Sequence, residues 1–448
     1  MRPSIPLLAL AAGLCAVSVV QAAQVAPRPV VDGVAKAIAD NYYDAAKGAA
    51  VAAQLRAEAA KGAYDRLTDP RDLATTLTER LRPLDHHFSV SWSPPSADGP
   101  PPQGAGPSAG VGPAPRLAPA GPANAQRDPF RRANYGVRRV EILGGNLGYI
   151  DLRMFADFEF GQPDAPARKT IEAALQTVAN ADAVIIDLRD NGGGSPAMVG
   201  YLSSAFTPKG ADIYNTFKYR EGTASEAPTD WYAAPRLDVP LYLLVSPRTG
   251  SAAEAFAYTL KNAKRAVIVG EASAGAANPG GPVPVAGGFA VFVSNGSPIS
   301  PITKTNWEGD GVQPDVAVVP AKALETARAL ALEAVLKTAA GPDAQDARWA
   351  LEAIRAEASP PAAKPLADYV GGYGGIDIIQ LDGRIGMKRG KRPVTVLLPL
   401  GGESFTVPDE PSRRVVFERD AKGAVTAFEA ITSDGRSARY RREAAPAS

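Results

Sequence analysis

Between residues 28 and 82, apolar residues recur at helical spacing among good helix formers, clearest over Val30–Ala39 and Ala45–Lys61. Thr68-Asp69-Pro70 reads as a helix start, with an acceptor side chain followed by proline in the first turn. The pattern predicts an N-terminal helical domain over 28–92, closing on Leu84-Asp85-His86-His87-Phe88-Ser89-Val90. From Tyr135 the period changes. Val137–Ile142 and Leu147–Leu152 read as a hairpin around Gly144-Gly145-Asn146. A helix is predicted over Ala165–Ala179, a buried strand over Ala183–Asp187 and a helix from Pro196. Strands follow at Ile213–Tyr219 and Leu241–Val245, then a helix from Ser251 and a strand at Ala266–Val269; Phe289–Ser294 and Val316–Val319 are expected to finish the core. Alternating strands and helices, with continuous apolar strands, predict a layered α/β core over 131–320.

Two further segments flank that core. A helical connector is predicted over 321–360. Beyond it, 365–446 reads as a small C-terminal antiparallel β domain, because short alternating stretches are separated by Asp382-Gly383, Lys422-Gly423 and Asp434-Gly435. No constellation of catalytic residue types stands out in it. From Pro94 to Pro122 there are ten Pro and six Gly in 29 residues. Such a stretch cannot bury enough apolar surface to fold alone, so 93–130 is expected to be a linker or flap. Residues 1–22 carry Arg2, an apolar run from Ile5 to Val20 and a small-residue site at Val20-Gln21-Ala22, the layout of a secretory signal. The expectation is an exported, periplasmic protein with no membrane span after cleavage.

Composition narrows the chemistry. With 48 Lys+Arg against 47 Asp+Glu, the chain lacks the basic excess of a nucleic-acid binder. Its one cysteine, Cys15, lies in the signal segment, so neither disulfides nor thiolate zinc sites are expected in the mature chain. Two histidines, His86 and His87, leave little room for a His-rich metal centre; no metal and no cofactor are expected. Any imidazole chemistry must occur at that pair.

Two strand-to-helix turns could hold a reacting group. Ile186-Asp187-Leu188-Arg189-Asp190-Asn191-Gly192-Gly193-Gly194 ends a buried strand in three glycines, which allow positive φ and close backbone approach. No Lys-Ser/Thr follows, which argues against a nucleotide P-loop. In Val245-Ser246-Pro247-Arg248-Thr249-Gly250-Ser251-Ala252-Ala253-Glu254, Ser251 stands at a helix start, where the following N–H can stabilise an oxyanion. The same Ser-x-x-Glu spacing is a capping box, and the spacing alone favours that plainer role. A serine nucleophile needs a base, which His86, His87 or a lysine could supply. A carboxylate in Trp307-Glu308-Gly309-Asp310-Gly311-Val312-Gln313-Pro314-Asp315 could orient an imidazole, or merely precede a strand.

Taken in order, these segments resemble the tail-specific (C-terminal processing) serine peptidases, in the branch related to interphotoreceptor retinoid-binding protein. The resemblance rests on Asp85-His86-His87-Phe88, Leu147-Gly148-Tyr149-Ile150-Asp151-Leu152, Asp187–Gly194, Thr249–Tyr258, Val269-Gly270-Glu271 and Asn306–Asp315. It implies a crotonase/ClpP-like layered α/β core and a peptide or protein substrate. The family's Ser–Lys dyad version is not matched, since Gly270-Glu271-Ala272-Ser273-Ala274-Gly275-Ala276-Ala277 has no lysine, and Ala276 stands near its place. The resemblance to the tricorn-type version implies Ser251 as nucleophile, His87 as base and Glu308 as orienting acid. It also implies oxyanion N–H groups from Ala252 and the glycine turn, assigned to Gly193 with Gly194 as the alternative. The peptide-binding (PDZ) insertion of many relatives is missing. Two other readings of the same fold are a non-catalytic binder of lipid or other apolar ligands and a crotonase-like acyl-CoA enzyme; a signal segment argues against the latter.

Overall fold

The computed structural model describes residues 25–94, 129–361, 364–408 and 410–443. The signal segment and nearly all of the expected linker lie outside the described residues. In chain order the elements are α1 (Pro27–Asn41), α2 (Ala45–Ala60), α3 (Pro70–Leu81), β1 (Ser89–Trp92), α4 (Pro129–Arg132), β2 (Val137–Leu143), β3 (Leu147–Leu152), α5 (Pro166–Thr177), β4 (Ala183–Asp187), α6 (Pro196–Ser204), β5 (Thr216–Tyr219), β6 (Gly222–Ser225), β7 (Leu241–Val245), α7 (Ala252–Asn262), β8 (Val267–Gly270), β9 (Gly280–Val285), β10 (Phe289–Ser294), β11 (Gly296–Ile299), β12 (Val316–Ala317), α8 (Pro320–Val335) and α9 (Gly341–Ala358). Eight strands follow: β13 (Gly371–Tyr373), β14 (Ile376–Leu381), β15 (Arg384–Lys388), β16 (Thr395–Gly401), β17 (Ser404–Val407), β18 (Glu410–Arg419), β19 (Val425–Thr432) and β20 (Ser437–Arg441).

The described chain divides into two compact units. One comprises 25–40, 46–94 and 282–293; the other holds the remainder. In the first, α1 buries Val30, Val31, Val34, Ala35 and Ile38 along one stripe. Helix α3 starts where the sequence places it: Asp69 accepts the Arg71 N–H at 2.9 Å and Pro70 opens the first turn. The strand Phe289–Ser294 does not finish the α/β core as expected. It pairs antiparallel with β1, with Val90 opposite Val291, in a three-stranded sheet of order β1-β10-β9. The reason is visible in its burial: Phe289, Val291 and Val293 are buried while Ala290 and Phe292 are half-buried. That alternation suits a half-covered antiparallel strand rather than a central parallel one.

The second unit is built on a six-stranded sheet of order β12-β8-β7-β4-β3-β2. All its pairs are parallel except β2–β3. β3, β4 and β7 are buried throughout, because helices cover both faces. On one face Ile150, Val184, Ile186, Leu243 and Val245 pack with α5, α6 and α7. On the other, Tyr149, Ile185, Tyr242 and Leu244 pack with alanine-rich α8 and with α9. The expected strand Ile213–Tyr219 shortens to Thr216–Tyr219. It lies outside this sheet, between β11 and β6. The single expected connector divides into α8 and α9.

The C-terminal strands form an antiparallel meander, β13 through β20. Tyr373 bridges Arg442 and the Glu443 N–H donates to Gly372 O at 2.8 Å, so the last strand returns to the first and the sheet nearly closes. Asp382 (φ 46°) and Gly383 (φ 74°) make the β14–β15 turn in the left-handed region that such two-residue hairpins need. Tyr369, Tyr373, Phe405, Phe417 and Phe428 fill the interior. None of the described helices is long and apolar enough to cross a membrane.

Candidate active site

The site is assembled at the carboxyl ends of β4 and β7, where an α/β sheet leaves a crevice between adjacent turns. The two turns are stitched together. Thr249 Oγ1 donates to Leu188 O (2.8 Å), Gly250 N–H to Asn191 O (3.0 Å), and Ser246 Oγ to Arg189 O. Asn191 shapes the glycine turn from inside: its Nδ2 donates to Leu152 O, and its Oδ1 accepts the Gly193 N–H, both at 2.9 Å. The remaining polar residues of this motif are structural. Asp187 accepts from the Tyr149 hydroxyl and the Arg189 guanidinium, while Asp190 pairs with Arg153 and Arg248.

Ser251 sits half-buried at the start of α7 with φ 52° and ψ −121°, a conformation that only glycine adopts freely. Strain at this position is held in place by Glu254. The capping box read from the sequence is present: the Glu254 carboxylate accepts the Ser251 N–H at 2.8 Å. It also accepts Ser273 Oγ (2.6 Å), Gly275 N–H (2.7 Å) and Ala276 N–H (2.9 Å). Burial pushes the Glu254 pKa up, and these four donors oppose that rise. The cap thus fixes the backbone that carries the Ser251 side chain. Gly193 lies directly against it. A Cβ at Gly193 (φ 115°) would fall 2.7 Å from Ser251 Cβ and 3.0 Å from Ala252 N. Among the described residues the Ala252 and Gly194 N–H groups have no acceptor, whereas the Gly193 N–H is engaged by Asn191.

The segment 273–278 links Glu254 to the third motif. Glu308 Oε2 accepts the Ala277 and Asn278 N–H groups at 2.9 and 3.0 Å, and the Gly309 N–H donates to Gly275 O at 2.9 Å. Glu308 is half-buried, its own N–H held by Asn306 Oδ1 at 2.9 Å. Thus Ser251, Ala252 and Gly193 meet at one pair of turns, and Glu308 hangs from the loop that Glu254 anchors.

The histidines lie in the N-terminal unit and differ sharply. His86 is exposed. His87 is partly buried, stacks on Phe292 (centroids 6.0 Å apart) and carries Asp85 beside it. Asp85 Oδ1 accepts the His87 backbone N–H at 2.9 Å and lies 3.3 Å from Nδ1. Asp85, Asn191 and Glu254 stand within the sequence motifs, where spacing gives a role only to Glu254, that of a cap. Their signals were local: each is an acceptor side chain two or three residues from the group it holds.

The fold and these turns define a layered α/β protein with a strained serine at a helix start, facing a glycine turn. Known proteins share the same segments. Residues 146–318 match the description "Peptidase family S41", and residues 15–122 match "N-terminal domain of Peptidase S41 in eukaryotic IRBP". Residues 146–318 thus form a segment of the peptidase family S41 type. It is 29% identical over 192 residues to carboxyl-terminal-processing peptidase 1 of the Arabidopsis thaliana chloroplast, covering 42% of this chain and 37% of that protein. It is 33% identical over 134 residues to the carboxyl-terminal-processing protease of Synechocystis sp., covering 30% of this chain and 29% of that one. The chain thus spans about a third of the length of these curated relatives. A solved structure of the photosystem II D1 C-terminal processing protease aligns with a TM-score of 0.40 at 17% identity, over 66% of this chain and 94% of that one.

Proposed function

We propose that the protein is a serine peptidase that hydrolyses peptide bonds in peptide or protein substrates. The observation that carries this reading is Ser251, held at positive φ against Gly193 at the start of α7. Ser251 Oγ attacks the scissile carbonyl carbon, and His87 takes the hydroxyl proton. The C–N bond then breaks as His87 returns that proton to the leaving amine, and water releases the acyl group by the reverse sequence. Glu308 orients the imidazole, with Asp85 positioning the same ring through Nδ1. The Ala252 N–H and a glycine-turn N–H receive the developing oxyanion. Gly193 can serve only when its N–H leaves Asn191 Oδ1; Gly194 needs no such exchange. Neither a metal nor a cofactor is required by this sequence of steps. Export to the periplasm is part of the proposal and rests on residues 1–22; N-terminal sequencing of the secreted protein tests it.

The deciding experiment compares the purified chain with Ser251→Ala on a fluorogenic peptide mixture and with a fluorophosphonate probe. Hydrolysis and labelling are expected in the first and neither in the second, with unchanged circular dichroism. Hydrolysis that survives the substitution removes Ser251 from the mechanism. A folded parent that is neither labelled nor active leaves the non-catalytic binder as the function.

A further inference from the structure

The C-terminal β sheet is filled at one end and open at the other. Aromatic side chains occupy its middle, but the end reached by Ile376, Met387, Val407 and Thr432 encloses a cavity of about 440 Å3. That volume lies within the roughly 300–1,000 Å3 of small-molecule sites. The strand registers put these residues at the same end: Tyr373 faces Ile376, Met387 faces Thr395, Val407 faces Glu410 and Arg413 faces Thr432.

Alternation along each strand fixes what points into the opening. Ile385 and Phe417 belong to the interior, so the inward series continue through Met387 to Arg389 and back through Val415 to Arg413. From Tyr440 the series runs through Ala438 to Arg436. Arg392 joins these three at the rim. The floor is apolar, made by Ile376, Met387, Val407, Val415 and Tyr440, and Glu410 is the only acidic residue among those that line the cavity. Arg413 pairs with Glu410 and Arg436 with Asp434, but both pairs are exposed and therefore weak. Among the described residues neither Arg389 nor Arg392 has a carboxylate partner.

We propose that this barrel mouth binds an amphiphilic carboxylate, an unbranched apolar chain ending in one anionic group, as in a fatty acid. The chain would lie on the apolar floor, and the carboxylate would take charge-assisted hydrogen bonds from the arginine rim, where planar guanidinium groups match it bidentately. Both halves of the site are needed to select this ligand. A ring of arginines alone would hold any anion, and an apolar cup alone any oil. The proposal is independent of the peptidase reading, since the cavity shares no residue with the Ser251 turns.

Isothermal titration of the full-length protein with dodecanoate, below its micellar concentration, tests it. One saturable site is expected, with at least tenfold weaker binding of the uncharged dodecanamide. Arg389→Gln combined with Arg436→Gln should weaken dodecanoate binding at least tenfold and leave the melting temperature unchanged, because both side chains are solvent-exposed. Ser251→Ala should bind like the parent. Absence of saturable binding overturns the proposal, as does equal affinity for dodecanamide or undiminished affinity in the double variant.

Discussion

The Glu254 carboxylate accepts the backbone N–H of Ser251 at 2.8 Å while also receiving three donors from the 273–276 segment. One buried side chain thus sets both the strained serine and the loop from which Glu308 hangs. Glu254→Ala would leave those donors unpaired in a buried place, at about 1–3 kcal/mol for each one that water cannot reach. A loss of about 3 kcal/mol or more is expected in chemical unfolding. Fluorophosphonate labelling of Ser251 should slow at least tenfold even at temperatures where the variant is folded. Parental labelling rates in a folded Glu254→Ala protein would refute its role in aiming the serine.

Neighbouring glycines should respond oppositely to alanine. At Gly192 an added Cβ meets nothing within 4 Å, and its φ is not positive. At Gly193 the Cβ would fall within 3.0 Å of Ser251 Cβ and Ala252 N at φ 115°. Gly192→Ala is expected to keep stability and activity. Gly193→Ala should cost about 1–3 kcal/mol and abolish hydrolysis, since a methyl group would fill the space the oxyanion needs. Thermal melts and kcat/KM on one fluorogenic peptide distinguish the two.

The two histidines can be separated by single substitutions. His86 is exposed, whereas His87 is stacked on Phe292 and held by Asp85. His86→Ala should leave kcat within about twofold, and His87→Ala should lower it by about a thousandfold or more. Asp85→Ala should lower kcat less than His87→Ala, because it frees the ring without removing it. Equal losses from His86→Ala and His87→Ala would return the base to an undecided pair.

Much of this was legible in the sequence where one physical signal dominates. Ala183–Asp187, apolar up to its last residue, and Leu241–Val245 form buried parallel strands at those bounds, and Leu147–Leu152 pairs with Val137–Leu143 as the expected hairpin. Asp69-Pro70 and Asp382-Gly383 act through local chemistry, so they placed a helix start and a hairpin turn. Phe289–Ser294 lies outside the core sheet that the sequence predicts for it, because its alternation identifies a strand but not its partner; pairing with Ser89–Trp92 joins segments some two hundred residues apart. In the sequence only the family resemblance links Gly193 to Ser251; the fold supplies the physical reason, since both turns lie at the same end of adjacent parallel strands. The engagement of the Gly193 N–H by Asn191 depends on a side-chain rotamer, which no spacing reveals.

A second buried carboxyl should make stability depend on pH. Glu226 is almost fully buried, takes Asn215 Nδ2 at 2.8 Å on one oxygen, and has no cationic partner among the described residues. Burial pushes its pKa up from 4.5 to about 7, against the opposing hydrogen bonds from Asn215. The folded state therefore favours the protonated form. The stability this preference confers is complete below about pH 4.5 and is lost as pH rises to about 7, a change on the order of 3 kcal/mol. Glu226→Gln keeps an acceptor for Asn215 and cannot ionise. Relative to the parent, the variant should match its melting temperature near pH 4.5 and exceed it by several degrees at pH 8. Melting curves collected from pH 4.5 to 8.5 decide the matter: if the difference between the two proteins stays constant across that range, Glu226 does not titrate in the folded chain as its burial requires.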